Sequence, residues 1–117
     1  MDLCDIREIK SLLARHGFHF SKSMGQNFLI ADWVPRDIAD AAGLDSSCAV
    51  LEIGPGIGPL TRQLSLRAGK VAAVELDRSL LPVLAETMAG CPNVEVIHGD
   101  VMKLDLSSIV SDKFSGF

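Results

Sequence analysis

The amino-acid sequence predicts an α/β fold with a parallel sheet, the first half of a doubly wound architecture. Short, mostly apolar strands at residues 48–53, 71–75 and 94–97 alternate with segments that show the period of an amphipathic helix. The connections are short, which suits right-handed strand–helix–strand crossovers between parallel strands. With 117 residues, of which 48% are hydrophobic and 22% charged, the chain has room for one domain with a modest core.

Two helices are expected before the first strand. The first covers residues 5–16, with Asp5 and Glu8 spaced as a capping box, and it ends at Gly17. Residues 18–27 show neither the helical nor the strand period of apolar residues, which predicts an extended loop. A second helix follows over residues 32–42. The inward residues of these two helices are expected to be Ile6, Ile9, Leu12 and Leu13, then Val34, Ile38 and Ala41.

The rest of the chain follows the strand–helix alternation. The strand at 48–53 has the apolar composition of a strand buried on both faces. A glycine-rich turn leads into a helix that ends at Gly69, and the second strand leads into a helix over residues 79–89. A short helix is expected over 104–110. The inward residues are expected to be Leu60, Leu64 and Ala68, then Leu80, Val83, Leu84 and Met88.

Composition excludes several classes of protein. The 15 acidic residues exceed the 11 basic ones, so the net charge of −4 does not favour a nucleic-acid-binding face. Cys4, Cys48 and Cys91 lack CxxC or metal-ligand spacing, and the three histidines have no acid or cysteine at ligand spacing, so no metal is expected. No signal peptide pattern and no run of about 20 apolar residues occurs, so we expect a cytoplasmic chain without a membrane partner.

The first sign of chemistry is the glycine-rich turn at residues 54–58, between a strand and a helix. Its glycines let the backbone approach a ligand closely, although a purely structural turn would look the same. The spacing is G-x-G-x-G, Pro59 stands where a dinucleotide fingerprint has its third glycine, and no Gly-Lys-Ser/Thr follows. Between Glu52 and Thr61 there is an acid and no base, which suits a ligand with cationic groups better than a pyrophosphate.

Two further acids stand at the carboxyl ends of the next two strands. Glu75 lies about 20 residues past the first glycine, where an acid accepts both hydroxyls of a ribose. The alternative is a solvated carboxylate, with Asp77 capping the next helix. Asp100 can accept from an adenine amino group, or it can simply form a turn after Gly99. Because the carboxyl ends of parallel strands meet at one edge, these acids together predict an adenosine site that needs no pyrophosphate.

These motifs resemble the class I S-adenosylmethionine-dependent methyltransferases, which have a Rossmann-like fold. More narrowly, Lys-Ser-Met-Gly-Gln-Asn-Phe-Leu at residues 22–29, ahead of Leu-Glu-Ile-Gly-Pro-Gly-Ile-Gly-Pro-Leu-Thr at residues 51–61, is similar to the ribosomal RNA adenine dimethyltransferases of the KsgA type. The resemblance runs from about residue 18 through residue 101. It implies transfer of methyl groups from S-adenosyl-L-methionine to two adjacent adenosines near the 3′ end of small-subunit (16S) rRNA, in ribosome biogenesis.

The resemblance also implies roles for particular residues. Asn27 and Leu29 cover the methionine end of the cofactor, and Gln26 and Phe28 shape the pocket of the target base. Phe28 could equally be a core anchor. In the cofactor site, Gly54 and Gly56 contact the cofactor through the backbone of the glycine loop, and Glu52 steers the methionine amino group. Glu75 holds the ribose, and Asp100 with Val101 holds the adenine.

One departure concerns the catalytic motif of the family, Asn-Leu-Pro-Tyr or close to it, at the end of a fourth strand. That motif would lie beyond Phe117, so residues 1–117 are expected to be an N-terminal fragment without catalytic residues or the C-terminal helical domain. Such a fragment is expected to bind cofactor without transferring methyl groups. Its uncovered first strand is expected to cause self-association, with a dimer as the simplest form.

Three alternatives remain open. One is the related large-subunit rRNA methyltransferase group that gives macrolide resistance, against which Met24, Gly25, Pro55 and Pro59 favour the small-subunit group. Another is a non-catalytic cofactor-binding or ribosome-assembly module. The last is half of a dinucleotide-dependent oxidoreductase, which Pro59 and the Gly-Gln-Asn-Phe block disfavour.

Overall fold

A computed structural model describes residues 1–19 and 28–117. The predicted loop at 18–27 therefore lies almost wholly outside the described residues, and the other predicted elements are all found. In chain order they are helix α1 (Ile6–Arg15), helix α2 (Trp33–Ala41), strand β1 (Ala49–Ile53), helix α3 (Pro59–Arg67), strand β2 (Lys70–Glu75), a 3₁₀ turn (Arg78–Leu80) that runs into helix α4 (Leu81–Thr87), strand β3 (Val94–His98) and helix α5 (Leu106–Lys113).

The strands form a parallel sheet in the order β1-β2-β3, which confirms the predicted α/β class. In register, Val50 of β1 lies beside Val71 of β2, which lies beside Val94 of β3. Strand β2 is in the middle, and its residues from Val71 to Glu75 are all buried. The expectation that β1 is buried on both faces is wrong, because only Glu52 among its five residues is buried. Within the described residues, β1 pairs with β2 alone and lies at the edge of the sheet.

Helices cover both faces of the sheet. Val71 packs among residues of α2 and α3, and Val94 contacts both core clusters, so α1 to α4 lie on the face to which these valines point. Successive side chains of a strand point to opposite faces. Glu95 therefore faces the other way, and its ion pair with Lys113, at 3.0 Å, places α5 on that second face. This two-sided covering is the doubly wound arrangement.

The larger core cluster lies between α1 and α4 and reaches the glycine loop through Ile57. It confirms three of the four inward residues predicted for α1, whereas Ile6 is exposed. All four inward residues predicted around α4 are buried. The buried apolar residues of this cluster are Leu3, Ile9, Leu12, Leu13, Ile57, Leu80, Val83, Leu84 and Met88.

The second cluster lies between α2 and α3, and it shows that the predicted inward face of α2 is wrong. The structure buries Pro35 and Ala39, while Ile38 is 49% exposed. Ala39 packs against Leu64 and Ala68. Its small side chain lets the two helices approach closely, which the larger isoleucine would prevent.

The N-terminus of α1 is capped differently from the prediction. The Asp5 carboxylate accepts from the Arg7 N–H at 2.8 Å, as a capping residue does. Glu8, however, accepts from the Asp2 N–H at 2.9 Å rather than from the Asp5 N–H, so the capping box is not formed. The Asp5 N–H donates to the Asp2 carbonyl instead, so the Glu8 carboxylate is free to accept from the Asp2 N–H at the start of this turn.

Candidate functional site

The glycine loop connects the end of β1 to the start of α3. Gly54, Gly56 and Gly58 have φ angles of +72°, +63° and +99°, a region in which side chains are strained. A Cβ atom on Gly54 would meet no heavy atom within 4 Å, whereas one on Gly58 would lie 2.5 Å from Cε of Met88. The loop is therefore packed against α4 at its far end and open to an incoming molecule at its near end.

Glu75 ends β2 and holds the loop from the side. Its carboxylate accepts from the Gly56 N–H at 3.1 Å and from the Asp77 N–H at 2.9 Å, and the residue is only 6% exposed. The alternative of a solvated carboxylate is thereby wrong, although Asp77 does cap the following turn by accepting from the Ser79 N–H. Each oxygen of Glu75 retains a lone pair for another donor, such as a hydroxyl group.

Glu52 connects the two ends of the glycine loop. It lies on β1, two residues before Gly54, and its carboxylate accepts a hydrogen bond from the hydroxyl of Thr61 in the first turn of α3. Both residues are buried. Burial raises the pKa of Glu52, the nearby Glu75 carboxylate raises it further, and the hydrogen bond from Thr61 acts in the opposite direction.

A pocket of about 160 Å³ lies at the carboxyl ends of the three strands. It brings together four residues that the sequence analysis assigned to a cofactor, namely Gly54, Glu75, Asp100 and Val101. Leu76 and Gly99 also line it and were not singled out from the sequence. Both directly follow a strand end, and that position is the signal that could have found them.

Asp100 lines this pocket and also stabilises the turn after β3. Its Oδ1 accepts a hydrogen bond from the Met102 N–H at 2.9 Å, so Asp100 does form the turn that the sequence suggested as its alternative role. The same aspartate is half-buried at the pocket wall. Turn formation and ligand contact are therefore compatible here.

A second pocket of about 170 Å³ lies on the other side of the glycine loop and meets the first at Gly54. Phe28 lines it, with its ring 3.8 Å from where a Cβ of Gly56 would lie, and the same ring packs against the larger core cluster. Leu29 is exposed and lines neither pocket. Gln26 and Asn27 lie outside the described residues.

The chemistry of the two pockets fits a nucleoside with a cationic tail. Carboxylates are available to accept from hydroxyl and amino groups, and among the described lining residues no lysine or arginine is present to hold a phosphate. Gly54 lines both pockets, and a Cβ atom built on it would meet no heavy atom within 4 Å. The residues present therefore fit S-adenosylmethionine.

Away from this edge, the described residues bring the oxygens of Asp2, Asp5 and Glu8 within 4.8 Å of one another. These acids accept from backbone N–H groups at the start of α1. Their arrangement is explained by helix capping. No helix in the described part of the chain is both long and apolar enough to cross a membrane.

Comparison with known proteins identifies the family. The family model described as ribosomal RNA adenine dimethylase matches residues 17–116. The chain belongs to this family. Among its curated members, ribosomal RNA small subunit methyltransferase A of Geobacillus thermodenitrificans is 49% identical over 114 residues, which are 97% of this chain and 39% of that protein.

The protein of the same name from Clostridium perfringens is 47% identical over 117 residues, covering 98% of this chain and 41% of that protein. The chain thus spans about two fifths of the length of these family members. Among solved structures, the 23S rRNA methyltransferase ErmE is 38% identical with a TM-score of 0.61, over 65% of this chain and 31% of that one. The family and this neighbour confirm the class I methyltransferase fold.

Proposed function

We propose that this chain is the S-adenosylmethionine-binding part of an rRNA adenine dimethyltransferase that acts on two adjacent adenosines of small-subunit rRNA. The observation that carries the proposal is the convergence of Gly54, Glu75 and Asp100 on one pocket at the carboxyl edge of the sheet. Open α/β sheets bind their ligands at this edge. The names of the family members from Geobacillus thermodenitrificans and Clostridium perfringens support the small subunit as the target.

In this proposal the pocket at the strand ends takes the adenosine. Asp100 accepts from the adenine amino group beside Val101, and the free lone pairs of Glu75 accept from the ribose hydroxyls. A carboxylate that already receives two backbone N–H groups is held in place, so little entropy is lost when the ribose binds. Glu75 therefore serves the loop and the ligand with one side chain.

The pocket beyond Gly54 takes the methionine end. Glu52 attracts the amino group electrostatically, and Gly54 and Gly56, which line this pocket, contact the methionine end through the backbone of the glycine loop. The family resemblance assigns Asn27 and Leu29 to the methionine end of the cofactor, and Gln26 and Phe28 to the pocket of the target base. When bound, S-adenosylmethionine supplies an electrophilic methyl group, and the residues of this chain bind and orient it.

The charge of the site supports this cofactor over a dinucleotide. Glu52, Glu75 and Asp100 are carboxylates around one loop, and the described residues that line both pockets include no basic side chain. Buried carboxylates attract the ammonium and sulfonium groups of S-adenosylmethionine and repel a pyrophosphate, with little screening by water.

Calorimetric titration of the chain with S-adenosylmethionine and, separately, with NAD tests the cofactor assignment. Saturable binding of S-adenosylmethionine with much weaker binding of NAD is expected. Preferential binding of NAD would contradict the proposal and favour the dinucleotide alternative.

The substrate is tested with a protein in which this chain is extended to the full length of its family members. With methyl-labelled cofactor it should label adenosines of unmethylated small ribosomal subunits. The second candidate, methylation of large-subunit rRNA, is favoured by the 38% identity to ErmE. A parallel incubation with large-subunit rRNA separates the two, because label in that RNA alone would favour the second candidate. Since the substrate is ribosomal RNA, the proposed place of action is the cytoplasm.

A further inference from the structure

We propose that Thr61 is a positioning residue, whose hydroxyl holds the buried Glu52 carboxylate in place beside the glycine loop, where its charge attracts the cationic end of the cofactor. This inference rests on the proposed function. Neither Thr61 nor Glu52 lines either pocket. Thr61 therefore acts through Glu52, and Glu52 acts on the ligand through its charge.

The geometry places Thr61 where it can control one carboxylate. Thr61 is fully buried in the first turn of α3, and its hydroxyl donates to Oε1 of Glu52 across the glycine loop. Glu52 lies in β1, two residues before Gly54. The hydrogen bond therefore joins the strand that enters the loop to the helix that leaves it, and it fixes one oxygen of the carboxylate.

The chemistry explains why a hydroxyl is needed at this place. A buried carboxylate is unfavourable unless it is hydrogen-bonded. Burial raises the pKa of Glu52, as does the neighbouring Glu75 carboxylate, and the Thr61 hydrogen bond counteracts both. Among the described residues, Glu75 on β2 is the charged group acting on Glu52, and Thr61 on α3 is the polar one. Thr61 therefore favours the ionised form, which attracts an ammonium group.

Substitution of Thr61 separates the hydroxyl from the shape of the side chain. Thr61→Val has nearly the same volume but no donor, and Thr61→Ser retains the donor and removes a methyl group. We expect Thr61→Val to weaken S-adenosylmethionine binding by about tenfold or more, the effect of losing a hydrogen bond to a charged group. Thr61→Ser should bind nearly as well as the wild type.

A matched control is Thr87→Val. Thr87 is also buried, but its hydroxyl lies near the Leu84 carbonyl of its own helix, at 3.5 Å. The same chemical change at this position should leave the affinity for S-adenosylmethionine close to that of the wild type. Equal losses in Thr61→Val and Thr87→Val would show a general packing effect and overturn the proposal.

A second readout needs no cofactor. NMR titration of the Glu52 carboxyl carbon in the ligand-free chain gives its pKa directly. Thr61→Val should raise this pKa above the wild-type value, and the loss of cofactor affinity on acidification should begin at a correspondingly higher pH. A purely structural role of Thr61 would leave this titration unchanged.

The outcomes distinguish the inference from the proposed function. If the wild type does not bind S-adenosylmethionine, the proposed function fails, and an unchanged Glu52 titration in Thr61→Val overturns the inference independently. If the wild type binds and Thr61→Val binds equally well, only the inference fails. Should Thr61→Val not fold, Thr61→Ser decides, because a shifted Glu52 titration in that variant would mean that packing, not the hydroxyl, positions the carboxylate.

Discussion

Glu75→Gln is the substitution that most directly tests how the site is held together. The wild-type carboxylate receives the N–H groups of Gly56 and Asp77, one on each oxygen. Glutamine keeps the volume of the side chain but has a single acceptor oxygen, and its NH₂ group would face one of the two donors. The variant therefore loses at least one hydrogen bond in a residue that is 6% exposed.

The magnitude follows from which N–H group loses its partner. Asp77 is exposed, so water can replace the carboxylate there, whereas Gly56 is only half-exposed. Loss of the bond from Gly56 to a buried charge should lower the free energy of unfolding by about 1.5–3 kcal/mol. The affinity for S-adenosylmethionine should fall by about 1–3 kcal/mol, since the ribose hydroxyls lose a charged acceptor.

Denaturant unfolding and calorimetric titration measure the two effects. Glu95→Gln is the matched control, because it makes the same chemical change on β3, in a half-exposed ion pair with Lys113. That control should change the free energy of unfolding by about 1 kcal/mol at most and should not change cofactor binding. Equal behaviour of the two variants would refute the assignment of Glu75 to the loop and to the ligand.

Three further outcomes are expected. Gly58→Ala should lower the free energy of unfolding by about 1–3 kcal/mol in a denaturant titration, because alanine is strained at a φ of +99° and its Cβ would meet Met88; an unchanged midpoint would contradict this. The pKa of Glu52 is raised on folding, so this residue stabilises the fold at acidic pH, and that contribution is lost as the pH rises through the folded-state pKa. The free energy of unfolding of Glu52→Gln should therefore increase relative to that of the wild type as the pH rises. Parallel curves of unfolding free energy against pH for the two proteins would argue against this. The 117-residue chain should form a dimer through the free edge of β1. The backbone N–H and C=O groups of Ala49, Leu51 and Ile53 point away from β2, and they are arranged symmetrically about Leu51. Sedimentation that shows a monomer at micromolar concentration would contradict this.

The sequence by itself determined the order of the elements and the edge at which the acids meet. Strong local signals gave this result, namely glycines at the ends of helices, short apolar strands, and an acid at or near the carboxyl end of each strand. Asp100 and Glu75 could be brought together from sequence alone because parallel strands place their carboxyl ends at one edge. The motif at residues 22–29 predicted the family, and the family match over residues 17–116 confirms it.

Only the tertiary structure decided which face of a helix is buried and which polar groups pair. The inward face of α2 depends on Ala39 meeting α3, and periodicity does not report the size of a neighbour's side chain. The hydrogen bonds of Glu75 with Gly56 and of Glu52 with Thr61 join separate elements whose distance apart is set by packing. Local sequence patterns specify elements because they reflect short-range sterics and capping, whereas the pairing of buried carboxylates depends on the relative placement of strand, loop and helix, which exists only once the chain has folded.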